Sequence, residues 1–150
     1  MRVADVCSRH VVVTHRDEPL VEAARRMRGE HVGDLVVVDE RDGREVPVGV
    51  LTDRDIVVGV VATDLEHIGQ LDVGDVVTSE LVTATEDEDV AEVLRRMRTF
   101  GVRRVPVLDG DGTLGGILSL DDVLSGLADE LSEIASVAWK QRAHEPARRP

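Results

Sequence analysis

The sequence is poor in aromatic residues and in cysteine. It contains no tyrosine, one phenylalanine and one tryptophan, although 42% of its residues are hydrophobic. Its core must therefore be aliphatic, and its many valines favour strands because a branched side chain suits a pleated surface. The single cysteine, Cys7, cannot form an internal disulfide, which favours a reducing compartment.

Targeting and membrane segments are not recognisable either. The first ten residues lack the apolar centre of a signal peptide. The longest apolar run, residues 56–62, is far shorter than the roughly 20 residues of a membrane-spanning helix. We therefore expect a soluble, cytoplasmic protein.

Basic charge is scarce, because the sequence contains eighteen Lys and Arg residues but thirty Asp and Glu residues, which gives a net charge of −12. Nucleic acids are bound mainly by basic residues that neutralise phosphates, and anionic membranes attract basic segments. We expect neither as a partner, whereas a small phosphorylated ligand remains compatible with a local arginine cluster. The length of 150 residues suits one compact domain or two small halves that share a core.

Motifs for catalysis and metal binding are missing from the sequence. The five histidines are scattered, with no pair at metal-ligand spacing beside cysteines or acids. Nucleophile elbow, P-loop and dinucleotide-binding fingerprint are all absent. We expect no metal site and no enzyme activity.

An internal duplication is the main positive feature. A shift of seventy residues places residues 5–39 on residues 75–109, with thirteen of thirty-five positions identical. Beyond Asp39 the first repeat carries three extra residues, and the shift becomes sixty-seven. The chain therefore contains two units of the same design.

Each unit predicts a short helical turn followed by the order β-α-β-β-α, an α/β fold class. Residues 20–30 and 90–100 carry apolar side chains at i, i+3, i+4 and i+7, which is typical of an amphipathic helix. Two strands follow each helix, joined by Asp-Gly connections typical of hairpins. The predicted division is unit one (1–62), linker (63–74), unit two (75–127), helical extension (128–142) and disordered tail (143–150).

One eight-residue phrase occurs in both units, as GVLTDRDI at 49–56 and GILSLDDV at 116–123. It lies between a predicted strand and a predicted helix, and its hydroxyl followed three residues later by an acid resembles a capping box. Such a cap stabilises a helix by about 1 kcal/mol. Its leading glycine favours a second interpretation, since glycine lets another group approach the backbone closely, and the two junctions could face each other across a ligand cleft.

The ordered set of motifs resembles tandem cystathionine-β-synthase (CBS) domains over residues 1 to about 127, above all the small stand-alone bacterial proteins of that family. The motifs are VADVCSRHVVVTHRDEPLVEAARRM, GDLVVVD and GVLTDRDIV, then VGDVVTSELVTATEDEDVAEVLRRM, GVRRVPVLD and GILSLDDVL. The resemblance implies two units packed through their sheets and paired again into a homodimer. It also implies clefts for adenosine-containing ligands such as AMP, ADP, ATP, S-adenosylmethionine or NAD-type nucleotides, with no cofactor required.

The resemblance also implies roles for particular residues. The recurring phrase supplies a ribose-binding aspartate and a hydroxyl near the phosphates, and an apolar strand packs the adenine and lends it backbone hydrogen bonds. The implied residues are Thr52 with Asp55, Ser119 with Asp122, and Val105 with Pro106 on the second strand; Val36 stands in the first repeat where the family commonly has proline.

Arginines supply the charge that a phosphate needs. Arg54 lies inside the first phrase, and Arg103 and Arg104 precede the second adenine strand. The alternative is that these arginines are ordinary surface charges. Taken by itself, Arg103 fits that alternative better. The second phrase has Asp121 near that place. We therefore expect unequal sites, with phosphate near Arg54 and a neutral or cationic adenosyl group near Asp121.

The sequence thus favours a regulatory module that senses an adenosyl ligand and signals to another protein through a change of shape or association. The alternative is a structural dimerisation module with vestigial clefts. Trp139, in the late apolar segment, fits either intramolecular packing or a dimer or partner contact, because tryptophan is enriched at interfaces.

Overall fold

Two three-stranded sheets form the framework of the computed structural model, which describes residues 1–77 and 80–144. Each sheet has one parallel and one antiparallel strand pair, in the orders β1-β2-β3 and β4-β5-β6. The strands are β1 (Val13–Thr14), β2 (Asp34–Arg41), β3 (Arg44–Thr52), β4 (Ala84–Thr85), β5 (Arg104–Leu108) and β6 (Leu114–Ser119). The helices are α1 (Val3–Val6), α2 (Leu20–Glu30), α3 (Asp53–Ile56), α4 (Ala62–Asp64), α5 (Val73–Val76), α6 (Val90–Phe100) and α7 (Leu120–His144). The predicted α/β fold class is confirmed.

The first long helix of each repeat has the bounds that its periodicity predicts. Helix α2 buries Leu20, Ala23 and Met27 against its sheet, because residues three and four apart share one helix face. Helix α6 does the same with three residues at matching positions. Each helix ends at a residue in the left-handed conformation, His31 at φ 56° and Gly101 at φ 67°.

Strands β1 and β4 are only two residues long. Only two residues of each pair with the neighbouring strand, Val13 with Val36 and Thr14 with Val37 in the first sheet. The antiparallel pairs carry a register shift at matching places, between Val37 and Val38 and between Val107 and Leu108.

The short helical turns that lead into the repeats are exchanged between them. In α1, the backbone NH of Val3 donates to the carbonyl of Glu88 at 3.0 Å, and the Val3 side chain is fully buried in the core of repeat two. In α5, the NH of Val73 donates to the carbonyl of Glu18 at 2.9 Å, and its side chain is buried in the core of repeat one. Neither core is complete without the other repeat, so the two form one folding unit.

A third apolar cluster joins the two sheets. It contains the buried side chains of Val36 and Val38 from the first sheet and of Ile117 from the second. This cluster fixes the sheets against each other and brings the ends of β3 and β6 towards the same region.

The segments after the two phrases differ. In repeat one, α3 is followed by a π-helical turn (Val57–Val61), α4 and a 3₁₀ helix (Leu65–Gln70). In repeat two, a single 25-residue helix runs to His144. Residues 143 and 144, predicted to lie in a disordered tail, are thus helical, and residues 145–150 lie outside the described part. The proposed division into units stays a prediction.

Candidate functional site

The recurring phrase forms a helix cap in both repeats. The backbone NH and the hydroxyl of Thr52 donate to Asp55 Oδ2 at 2.8 and 2.7 Å, while the Asp55 NH donates to Thr52 Oγ1 at 3.1 Å. Ser119 and Asp122 repeat the three hydrogen bonds at 2.9, 2.5 and 3.1 Å. The capping-box interpretation is therefore correct at both sites.

The cap leaves part of each aspartate available. All the hydrogen bonds between Thr52 and the Asp55 carboxylate end on Oδ2, and the same holds for Ser119 and Asp122. Among residues 1–77 and 80–141, no hydrogen bond reaches Oδ1 of either aspartate. An ionised carboxylate has about four lone-pair positions, so capping and ligand binding are compatible at one residue.

The glycine that opens each phrase has a packing role instead of the ligand contact that we considered. A Cβ at Gly49 would collide with a methyl group of Val77, and a Cβ at Gly116 would lie 2.8 Å from the carbonyl oxygen of Ser8. Ser8 also exchanges two backbone hydrogen bonds of 2.9 Å with Ile117. The close approach is real, but the approaching group is the exchanged segment of the other repeat.

A cleft of about 680 Å³ lies between the phrase of repeat one and the start of the sheet of repeat two. That volume is within the usual range for small-molecule sites. Five residues predicted from the sequence line it: Thr52, Arg54, Asp55, Arg103 and Arg104. We call this space the first cleft.

The first cleft also has walls that the sequence analysis missed. The additional lining residues are Val50, Asp53, Glu80, Leu81, Val82, Gly101, Val102 and Asp121. Leu81 and Val82 precede β4, and Val102 follows α6, so one repeat supplies the phrase and the other supplies the apolar surface. The duplication was a signal for such pairing, but it does not tell which segments meet.

Asp121, expected to act at the second phrase, also lies beside the first cleft. It lines the first cleft together with Arg54. Asp121 is the second residue of helix α7 and directly precedes Asp122 of the second capping box. Its charge is therefore available both to the first cleft and to the second phrase.

An ion pair lies between the two repeats at the edge of the first cleft. Arg104 Nε is 2.8 Å from Asp34 Oδ1, and the side chains are 31% and 16% exposed. The two residues are equivalent under the seventy-residue shift. Burial raises the pKa of Asp34; Arg104 counteracts this, and the charges of Asp53 and Asp122 raise the pKa further.

The remaining predicted residues lie outside the first cleft. Val105 is fully buried in the core of repeat two, and Val36 is fully buried between the sheets. Pro106 is also buried and pairs with Ile117 in the sheet. Ser119 and Asp122 form the second cap, near Asp34, whose pKa Asp122 raises.

Among the described residues, no group of three or more His, Cys, Asp and Glu side chains is arranged to hold a metal ion. No helix within that part is long and apolar enough to cross a bilayer.

Comparisons with known proteins agree with this architecture. The CBS domain model matches residues 3–61 and 73–129. Protein MK0525 of Methanopyrus kandleri is 34% identical over 122 residues, which cover 81% of this chain and 60% of that protein, so this chain spans less than two thirds of that relative. Protein YlbB of Bacillus subtilis is 38% identical over 117 residues, 78% of this chain and 74% of that protein.

A solved structure extends the agreement to the fold. The crystal structure of the CBS domain pair of protein MJ0100, in complex with 5′-methylthioadenosine and S-adenosyl-L-methionine, has a TM-score of 0.74 at 25% identity. The match covers 87% of this chain and 98% of that chain.

Proposed function

The chain belongs to the CBS-domain family, and from that premise we propose that it is a regulatory module whose first cleft binds an adenosine-containing ligand. The observation that carries the proposal is Asp55: its Oδ2 is used by the helix cap, while its Oδ1 accepts no hydrogen bond from the described residues at the edge of a 680 Å³ cleft. A ribose diol can donate both of its protons to such a carboxylate.

The other walls of the first cleft suit the two ends of the ligand. Val82 and Val102 offer apolar surface for an adenine ring, since small-molecule sites combine apolar walls with a few placed polar groups. Arg54 and Arg103 offer charged donors for a phosphate, and charge-assisted hydrogen bonds of this kind are stronger than neutral ones.

The charge balance of the first cleft favours a ligand of low net charge. Three arginines line it together with four acids, Asp53, Asp55, Glu80 and Asp121. Arg104 is moreover already paired with Asp34. We therefore propose AMP or an adenosyl compound such as S-adenosylmethionine in preference to ATP, and the adenosyl compounds in the MJ0100 pair support that order.

A second adenosyl site is proposed at Ser119 and Asp122, with different charge. Asp34 lies close enough to Asp122 for their charges to interact, and the position equivalent to Arg103 is Gly33. These acids favour a neutral or cationic adenosyl group there. The proposal therefore keeps the two sites unequal, with Asp34 as a further cause beside Asp121.

The proposed output is a change of shape or of association that another protein detects, in a homodimer located in the cytoplasm. A ligand shifts such an equilibrium only by its difference in affinity for the two states. We propose no catalytic role, no required cofactor, and no nucleic-acid or membrane partner, in line with the acidic charge and the family.

A second candidate function is a dimerisation module whose clefts are vestigial. Its support is specific: Val36 and Val105, both assigned to adenine packing by resemblance, are fully buried in apolar clusters. Arg104 is also occupied by an ion pair before any ligand arrives.

Thermal unfolding with AMP, ADP, ATP, S-adenosylmethionine, NADH and GTP tests the proposal. A ligand at 100 times its dissociation constant adds about 2.7 kcal/mol, or roughly 5 to 11 °C for a chain of this size. The variant Asp55→Asn keeps an oxygen for the Thr52 cap but loses the second acceptor, so we expect it to fold and to lose the shift.

The matched control is Asp122→Asn, which makes the same change at the second cap. Loss of the shift in Asp55→Asn alone supports the first cleft, and loss in Asp122→Asn alone assigns the ligand to the second site. If no adenosyl compound raises the midpoint of the wild-type protein, the ligand-binding function is wrong and the dimerisation module is favoured.

A further inference from the structure

The ion pair of Arg104 and Asp34 lies between the two capping boxes. In the antiparallel strand pairs, Asp34 is the partner of Thr52 and Arg104 is the partner of Ser119. Directly paired residues of neighbouring strands carry side chains that lie close together on one face of the sheet. Asp34 is therefore next to the first cap, Arg104 is next to the second cap, and their contact of 2.8 Å joins the two.

Each member of the pair also belongs to the surroundings of the other repeat's phrase. Arg104 comes from repeat two, yet it lines the first cleft together with Arg54 and Asp55. Asp34 comes from repeat one, yet its charge interacts with that of Asp122 in the second cap. A change at either proposed site therefore reaches this ion pair directly.

The guanidinium of Arg104 keeps donors for a ligand. Its contact with Asp34 is made through Nε. Among residues 1–77 and 80–141, neither Nη1 nor Nη2 of Arg104 donates a hydrogen bond to another residue. A guanidinium has five N–H donors and binds a phosphate with two of them at once. A phosphate in the first cleft would therefore compete with Asp34 for the same positive charge.

Asp34 has no second cation that could replace Arg104. Among residues 1–77 and 80–141, Arg104 is the only basic group within 4.0 Å of its carboxylate. The Asp34 side chain is only 16% exposed, so water compensates its charge weakly. The negative charges of Asp53 and Asp122 act on it as well. A cation bound beside the second cap would supply the charge that Arg104 no longer provides.

We propose that the pair of Arg104 and Asp34 couples the two ligand sites. A phosphate in the first cleft binds Arg104, and the Asp34 carboxylate that is left uncompensated strengthens the binding of a cationic adenosyl group at Ser119 and Asp122. This inference rests on the two sites of the proposed function, and it names the residue through which one site senses the other.

The coupling acts in both directions, because each ligand must change the affinity for the other by the same factor. A cation beside Asp34 releases Arg104 for a phosphate, whereas two phosphates would compete for the single guanidinium. The protein should therefore prefer one anionic and one cationic adenosyl ligand over two of the same kind. Coupling between sites is typically about 5- to 150-fold in affinity, and a single exchangeable ion pair belongs at the lower end.

Isothermal titration calorimetry of the full chain with S-adenosylmethionine, whose sulfonium is cationic, tests the coupling. We expect AMP at a saturating concentration to tighten the binding of S-adenosylmethionine about five-fold. Adenosine is the matched control ligand, because it offers the same nucleoside without a phosphate, and it should not tighten the binding. Competition between ligands for one site only weakens binding, so it cannot produce the expected result.

The variant Asp34→Asn tests the residue. It keeps the shape of the side chain but has no charge for Arg104 to release, so AMP should no longer tighten the binding of S-adenosylmethionine. The readout is the ratio of the affinities with and without AMP, since a merely structural effect would change both affinities alike. The matched control is Arg103→Gln, which removes the neighbouring arginine of the first cleft and leaves the ion pair intact. It should weaken AMP binding but keep the tightening once AMP is saturating.

The failures can be told apart. If both ligands bind together but AMP does not tighten the binding of S-adenosylmethionine, or does so equally in Asp34→Asn, the coupling through this pair is wrong and the proposed function stands. If the two ligands displace each other completely, the second site and the coupling are wrong, while binding in the first cleft stands. If neither ligand binds, the proposed function and the coupling are both wrong.

Discussion

Repeat one and repeat two make the same backbone contacts but carry different charges where they meet. The NH of Asp53 donates to the carbonyl of Gly33 and the NH of Leu120 donates to that of Arg103, both at 2.9 Å. The residue that follows the accepting carbonyl differs, however: Asp34 follows Gly33 in repeat one, and Arg104 follows Arg103 in repeat two. The features that depend on backbone shape match in the two repeats, whereas the side chains around the clefts differ.

The difference has a physical reason at the boundary. Because equivalent positions of the two repeats lie side by side there, two aspartates or two arginines would repel each other. Opposite charges form an ion pair of 2.8 Å instead. The same pairing makes the two clefts electrostatically unequal, so a duplicated chain gains both a stable boundary and two distinct sites.

Substitution of the glycines of the recurring phrase should have the largest effect on stability, and the effect should differ between the two repeats. Gly116→Ala would press a methyl group against the Ser8 carbonyl, which is held by two backbone hydrogen bonds. We expect a loss of about 1–3 kcal/mol in the free energy of unfolding, as for other overpacked sites. Gly49→Ala meets a side chain of Val77, which can move, and should cost less. Urea unfolding measures both.

The control is Gly110→Ala, since a Cβ there meets nothing within 4 Å. Equal losses for Gly49→Ala and Gly116→Ala would contradict the difference between backbone and side-chain contacts. No loss in either would mean that the exchanged segments do not pack as described.

The sequence predicts the features that depend on residues a few positions apart. It does not predict the exchange of α1 and α5 between the repeats, because that exchange depends on residues far apart in the chain. Bounds of α2 and α6 and both capping boxes follow from residues a few positions apart, so periodicity and spacing reveal them. By contrast, Val3 packs beside Glu88, eighty-five positions away, and no local pattern marks that contact. The glycines signalled a close approach, but only the fold identifies the approaching group.

The adenine strand shows the same limit. The resemblance implies an adenine contact at Val105, which stays a prediction. Successive side chains of a strand face opposite sides of the sheet, and the Val105 side chain faces the core, so only its backbone could provide that contact. The pairing of Asp34 with Arg104 was equally hidden, because it depends on how the two sheets pack.

The ends of α2 and α6 give the next largest effect. His31 and Gly101 both adopt positive φ, which glycine tolerates and other residues adopt at a cost. His31→Gly should therefore stabilise the protein by about 0.5–1 kcal/mol, and Gly101→Ala should destabilise it by at least as much. Thermal unfolding of the two variants measures the difference, and effects of the same sign would contradict the shared backbone conformation.

A smaller effect should appear in the pH dependence of stability. Burial raises the pKa of Asp34 above its ordinary 3.8, so its contribution to stability is full at low pH and is lost as the pH rises through the folded-state pKa. In Asp34→Asn the side chain cannot ionise, so the variant does not lose stability in this way as the pH rises. We expect the stability of the variant relative to wild type to increase between pH 3.5 and pH 7 in urea titrations, and a constant difference would contradict the raised pKa.

The smallest effect concerns a second ion pair between the repeats, at the hairpin ends. Arg44 Nη1 lies 3.3 Å from Asp111 Oδ2, but these side chains are 57% and 48% exposed, and water and salt weaken exposed pairs. Arg44→Gln should hardly change the melting temperature, and less still in 1 M salt. Arg104→Gln should lower it clearly in both conditions, because it leaves the partly buried Asp34 without its partner. If the two variants behaved alike, burial at the boundary would not distinguish the inner pair from the outer one, and the charge difference between the repeats would lose its structural role.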